Sequence, residues 1–173
     1  MKILGIDPGY AIVGYGAIYF KPIKFQPLCY GTIQTDANLP FYIRLEKIYD
    51  DMMELLEKVQ PDAMAIEKLY FQNNQKTAIY VAQARGVILL SAQKKQVPIF
   101  EYTPLQVKTV VTGYGKARKT QVMEMTKRLL ALEQMPKLDD TADALAIAIC
   151  HAQACGSDLR LSMMKRRNTY NVL

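Results

Sequence analysis

The spacing of hydrophobic residues changes along this chain, and each change marks an element. Ile3, Leu4 and Ile6 form an apolar run over 2–7 that stops at the turn signal Asp7-Pro8-Gly9. AIVGYGAIYF (11–20) and QPLCYGTIQT (26–35) read as two further strands, and short connections make the three a meander. From 39 to 60 the period lengthens: Ile43, Leu45, Ile48, Met52, Leu55, Leu56 and Val59 recur at helical spacing until Pro61. DAMAIEKL (62–69) is a short buried strand. A long helix follows over 73–96, with Ala78, Val81, Ala82, Gly86, Leu89 and Leu90 on one side. Small residues there let a second helix approach closely. Residues 97–102 form a fifth strand. Thr103 as N-cap and Pro104 at the first helical position open a helix that Gly113 closes. A basic loop, YGKARK, leads to an amphipathic helix over 120–132 and a final helix over about 140–155.

The order βββαβαβα, followed by two more helices, predicts an α/β fold. Its sheet is mixed and five-stranded, an antiparallel meander then parallel strands, with helices on both faces. Linkers are short, so residues 1–155 are expected to form one domain. Residues 156–173 form a basic tail whose composition suits either an added nucleic-acid contact or disorder.

Composition narrows the chemistry. The chain has 173 residues, enough for one packed domain and too few for two large ones. Lys and Arg number 22 against 16 Asp and Glu, a net charge of +6 that favours a polyanionic partner. One histidine and three cysteines exclude a histidine relay and are too few for a closed zinc site without carboxylates. Sparse cysteines point to reduced thiols and a cytoplasmic setting. No stretch approaches a membrane span, and the N-terminal apolar run is cut too early for a secretory signal.

The carboxylates are the distinctive feature. Asp7 ends a strand of the kind buried on both faces, where a lone carboxylate is costly. Glu67 ends AMAIE in the same way. Read singly, Asp7 is an Asx turn and Glu67 an exposed strand end beside Lys68. Together, on adjacent parallel strands, they meet at the carboxyl edge of the sheet, where open α/β sheets bind ligands. KLDDTADALAIAICHA (137–152) adds Asp139, Asp140 and Asp143 at the head of an apolar helix. Asp139 and Asp143 are i and i+4, and Asp140 and Asp143 are i and i+3, so either pair shares a face. Hard oxygen donors without a histidine cluster suit Mg²⁺ or Mn²⁺. Two such ions can bridge a scissile phosphate, activating water and stabilising the leaving oxygen. Lys108, Lys116, Arg118, Lys119, Lys127 and Arg128 precede these acids. Lys108 and Lys119 flank the glycine-containing turn and are the better candidates for phosphate contact, whereas Lys127 and Arg128 read as a solvated helix face.

ILGIDPGYAIVGYG, AIEKLYF, QARGV, EYTPLQVKTVVTGYGKARKTQV and DDTADALAIAICH occur in that order from the N-terminus to about His151. These segments resemble the RuvC family of bacterial Holliday-junction (crossover junction) endodeoxyribonucleases. GIDPG alone also resembles the phosphate loop of actin-like kinases, but such a kinase needs a second lobe that this length does not hold. The resemblance implies an RNase H-like fold and an Mg²⁺-dependent enzyme, with Mn²⁺ as substitute and two ions per site. It implies a homodimer that resolves four-way DNA junctions by paired symmetric nicks, in recombination and repair. It places the catalytic, metal-holding acids at Asp7, Glu67, Asp140 and Asp143, and leaves Asp139 as an N-cap or solvent-facing acid. It assigns DNA contact to Lys108 and Lys119 and base stacking to Tyr70 or Phe71, with Lys116 and Arg118 in the adjoining basic loop. The partners it implies are four-way junction DNA and the RuvA and RuvB branch-migration proteins.

Overall fold

A computed structural model describes residues 1–21, 24–69, 75–134 and 136–169. Its strands are β1 (Lys2–Asp7), β2 (Ile12–Lys21), β3 (Lys24–Gln34), β4 (Ala63–Glu67) and β5 (Ile99–Tyr102). Its helices are α1 (Phe41–Val59), α2 (Gln75–Lys94), α3 (Pro104–Thr112), α4 (Lys119–Leu130) and α5 (Asp139–Thr169). The sheet order is β3-β2-β1-β4-β5. β1 pairs antiparallel with β2 and parallel with β4, and β4 pairs parallel with β5. This is the expected meander joined to parallel strands.

Two apolar layers flank the sheet. Leu4, Ile6, Met64 and Ile66 face Ile48, Met52, Leu56 and Ile88 from α1 and α2. Ile3 and Ala65 face Val107, Val122, Leu145 and Ile149 from α3, α4 and α5. Alternate residues of β1 thus bury on opposite faces, which is why its sequence is apolar at successive positions.

Helix α5 lies close against the sheet because glycines line its track. A Cβ on Gly5 would come within 2.0 Å of the Ala144 carbonyl oxygen, and one on Gly14 within 2.0 Å of the Asp140 oxygen. No side chain fits at either point, so the first turns of α5 rest directly on β1 and β2. This close approach brings Asp140 and Asp143 down to the strand ends.

Helix ends follow their local chemistry. Thr103 caps α3 and accepts the Gln106 N–H at 3.0 Å, while Gln106 Oε1 accepts the Thr103 N–H at 2.8 Å. Gly113 stops that helix in the left-handed region at φ 77°. Two boundaries differ from the sequence pattern. The backbone of α5 continues to Thr169, well past 155, because only one glycine and no proline interrupt 139–169. Asp139 is the first residue of α5 and not its N-cap; the Thr141 N–H bonds back to the Leu138 carbonyl at 3.2 Å.

Candidate active site

Parallel pairing sets Ile6 beside Ile66, so the next residues, Asp7 and Glu67, end adjacent strands at one edge. The start of α5 crosses above this edge. The environment of Asp7 records the convergence. Burial, then the charges of Glu67, Asp143 and Asp140, push its carboxyl up to about 7, and Lys119 opposes them. Burial and then Asp143 push Glu67 up to about 6, against Lys108 and Lys119. Four carboxylates therefore share one electrostatic neighbourhood. Asp140, rather than Asp139, contributes to the field at Asp7.

A cleft of about 190 Å³ opens here, lined by Glu67, Pro104, Val107, Lys108, Lys119, Val122, Asp143 and Ile147. Its two lysines come from the middle of α3 and the first residue of α4. The Lys119 ammonium bonds Asp143 at 2.9 Å and Asp139 at 3.3 Å. Burial pulls the Lys119 pKa down, but its bonds to these two acids outweigh that and raise it. Asp139 is exposed and meets the cleft only through this lysine.

Among the described residues no three His, Cys, Asp or Glu side chains already close on a common point. Asp143 is engaged in its ion pair with Lys119. The donor set still fits a divalent cation. It is all carboxylate, and beyond burial the charges of Glu67, Asp143 and Asp140 help to raise Asp7.

The turn after Asp7 is braced in a way the sequence pattern did not disclose. Arg44 is only 8% exposed and has no carboxylate partner among the described residues. Its Nε donates to Thr35 Oγ1 at 2.9 Å, and its Nη2 donates to the Tyr10 carbonyl at 3.3 Å. Thr35 Oγ1 donates to the same carbonyl at 2.7 Å, and the guanidinium stacks over the Tyr10 ring. Tyr10 also packs against Phe41 and Tyr80. Thr35, just past β3, and residues from α1 and α2 thus hold the turn that follows Asp7. A lone arginine within an amphipathic helix gave no signal of this in the sequence.

Of the other predicted site residues, Lys116 and Arg118 are exposed in the α3–α4 link, outside the cleft lining. Tyr70 and Phe71 lie outside the described residues. His151 is buried, bonded through Nδ1 to the Tyr102 hydroxyl at 2.7 Å and stacked near Phe100, so it is part of the packing. Cys150 is buried and its thiol is pushed up to about 12 by burial, as suits an unreactive core residue.

A mixed sheet in this order, crossed by a helix that brings acids to the ends of its two central strands, defines the RNase H-like class of nuclease folds. Within that class, the family model for crossover junction endodeoxyribonuclease RuvC matches residues 3–151. The RuvC of Brevibacillus brevis is 56% identical over 88% of this chain and 92% of its own length. That of Desulforamulus reducens is 52% identical over 88% and 94%. The structure of Thermus thermophilus RuvC in complex with a Holliday junction substrate superposes with a TM-score of 0.87. It is 33% identical, and the match covers 91% of this chain and 96% of that one. The chain belongs to the RuvC family of crossover junction endodeoxyribonucleases. It is a phosphodiester hydrolase of a family that uses divalent metal.

Proposed function

We propose that this protein resolves four-way DNA junctions with Asp7, Glu67, Asp140 and Asp143 as its catalytic acids and Lys108 and Lys119 as its phosphate-holding cations. The observation that carries the reading is the meeting of the four acids and two lysines at one strand edge. The four carboxylates would hold Mg²⁺, or Mn²⁺ in its place, with two ions per site. The chemistry such ions supply is activation of a water molecule and stabilisation of the leaving 3′ oxygen. The protein's own part is positional. Asp7 is fixed by the braced turn, and Glu67 by its parallel pairing. The α5 acids are fixed by the glycine track. Lys119, bonded to Asp143 and Asp139, stands ready to take a phosphate oxygen at the cleft mouth. The products are a 5′ phosphate and a ligatable 3′ hydroxyl.

Two coordinated nicks need two sites related by a two-fold axis. The outer side of α2 suits that role. Ala82, Gly86 and Leu90 are exposed on it, and nothing lies within 4 Å of a Cβ built on Gly86. Tyr70 and Phe71, just before α2, are assigned to base stacking near the crossover. Lys116 and Arg118 would hold flanking phosphates. The setting is cytoplasmic recombination and repair, with RuvA and RuvB delivering the junction. Consistent with this, no described helix is long and apolar enough to cross a membrane.

The test compares a synthetic four-way DNA junction, linear duplex and RNA, with Mg²⁺ or with EDTA. Paired nicks in the junction alone, and only with metal, are expected. Asp7→Asn, Glu67→Gln and Asp143→Asn should each abolish cleavage while junction affinity stays within about threefold, since phosphate contacts dominate binding. Joint loss of folding and binding in all three variants would remove these residues from the catalytic role.

A further inference from the structure

The link between α3 and α4 carries a feature that the acids and lysines of the cleft do not use. No acidic residue lies between Glu101 and Glu124, whereas Lys108, Lys116, Arg118 and Lys119 all do. Within this positive stretch two large apolar side chains stand in solvent, Leu105 at 61% and Tyr114 at 58% exposed.

Tyr114 is held through its own main chain. Gly113 adopts φ 77°, and its N–H bonds the Thr109 carbonyl at 2.8 Å. Thr112 Oγ1 accepts the Tyr114 N–H at 3.2 Å and lies 3.1 Å from the Tyr114 carbonyl oxygen. That carbonyl also accepts the Ala117 N–H at 3.0 Å. Gly115 packs onto α3 so tightly that a Cβ there would meet Leu105 Cδ1 at 2.6 Å and Thr109 Oγ1 at 2.9 Å. A rigid turn therefore presents the Tyr114 ring, and the ring is not used to hold the turn.

We propose that Tyr114, with Leu105 under the same turn, is a stacking platform for a base of the cleaved strand. Three observations converge on nucleic acid as the occupant: the acid-free basic stretch, the exposed aromatic ring within that stretch of sequence, and continuity with the cleft through Pro104 and Lys108. Reach fits as well. A hydrogen-bonded turn brings Tyr114 and Ala117 within about 7 Å, and two more residues add at most about 7 Å to reach Lys119. Lys119 in turn bonds Asp143 in the cleft. With about 3.4 Å between successive nucleotides of a strand, that backbone span covers about four nucleotides from the phosphate held by Lys119. A π-face accepts any base, and the fixed turn ties it to one position along the strand. Tyr114 thereby sets the register of the strand in the cleft.

This inference rests on the junction-cleavage reading above. Its test uses the full-length Asp143→Asn protein bound to junctions that carry 2-aminopurine at successive positions around the cut. Fluorescence should be quenched at one or two positions. The quench should be lost on adding Tyr114→Ala and kept with Tyr114→Phe. In the cleavage-competent protein, Tyr114→Ala should lower kcat/KM for the junction about fivefold or more, the scale of one lost base stack, and spread the nick over neighbouring phosphates. Tyr114→Phe should match wild type in both respects. Unchanged quench, kcat/KM and nick position in Tyr114→Ala would overturn the platform, as would a Tyr114→Phe as impaired as the alanine variant. A wild-type protein that leaves the junction intact with Mg²⁺ would instead overturn the function on which it rests.

Discussion

Asp7 is raised further above its usual value than Glu67, and pH exposes it. Its carboxyl titrates near 7 in the fold, raised by burial and by Glu67, Asp143 and Asp140, against a usual value of 3.8. The folded state therefore holds this proton more tightly than the unfolded chain. The stability gained is present in full below about pH 4 and is lost as pH rises through 7. A shift of this size corresponds to about 4 kcal/mol. In EDTA the denaturation midpoint should fall between pH 5 and 7, and Asp7→Asn should flatten that slope and raise the midpoint at pH 8. An Asp7→Asn protein that follows the wild-type curve would remove the cluster as the cause. The adjacent acids Asp139 and Asp140 separate at the same scale. Asp140→Asn should abolish cleavage, whereas Asp139→Asn, losing an exposed ion pair worth at most about 1 kcal/mol, should keep most of it. Junction-nicking rates for the two variants decide the point, and the reverse ranking would shift the site by one residue.

Helix α5 and the sheet beneath it act as a pair of elements. The proposed role of the α5 acids requires its first turns to touch β1 and β2, and that contact depends on missing side chains at Gly5 and Gly14. Gly14→Ala should lift the start of α5. The expected cost is about 1–3 kcal/mol in denaturant unfolding, the scale of an overpacked core. Cleavage should fall more than junction binding, because Asp140 and Asp143 are displaced while the basic surface stays. Wild-type cleavage in Gly14→Ala would show that α5 relaxes without moving its acids. Other elements were legible from the chain. The short apolar runs of the strands, the helical spacing of 39–60 and the Thr103-Pro104 start with its Gly113 stop are local patterns, and local sequence decides them. The far end of α5 was not legible, because nothing local contradicts helix beyond 155 and the apolar pattern that marked it runs out.

For the whole molecule the question is pairing. The exposed Ala82, Gly86 and Leu90 of α2 are the proposed seam of the homodimer. Gly86→Glu should leave the protomer folded, since no described residue lies within 4 Å of a Cβ at that position. It should yield monomers by sedimentation and convert paired nicks into single, uncoordinated ones. A dimer that survives the substitution would move the interface elsewhere. The same seam is tied to the active site through the protomer's own core. Tyr80, on α2, packs against Tyr10 in the turn after Asp7, and Arg44 holds that turn from α1.

The sequence by itself determined the order of elements, the mixed sheet and the two strand-end acids, because each is written in spacing over a few residues. The spaced motifs carried the family and, through it, the preference for Asp140 over Asp139. Only the tertiary structure decided which groups face one another. The bond from Lys119 to Asp143, the clamp of Arg44 and Thr35 on Tyr10, and the seating of α5 on Gly5 and Gly14 join residues far apart in the chain. Their strength comes from burial and from distances of a few ångströms, quantities that arise only when the chain has folded.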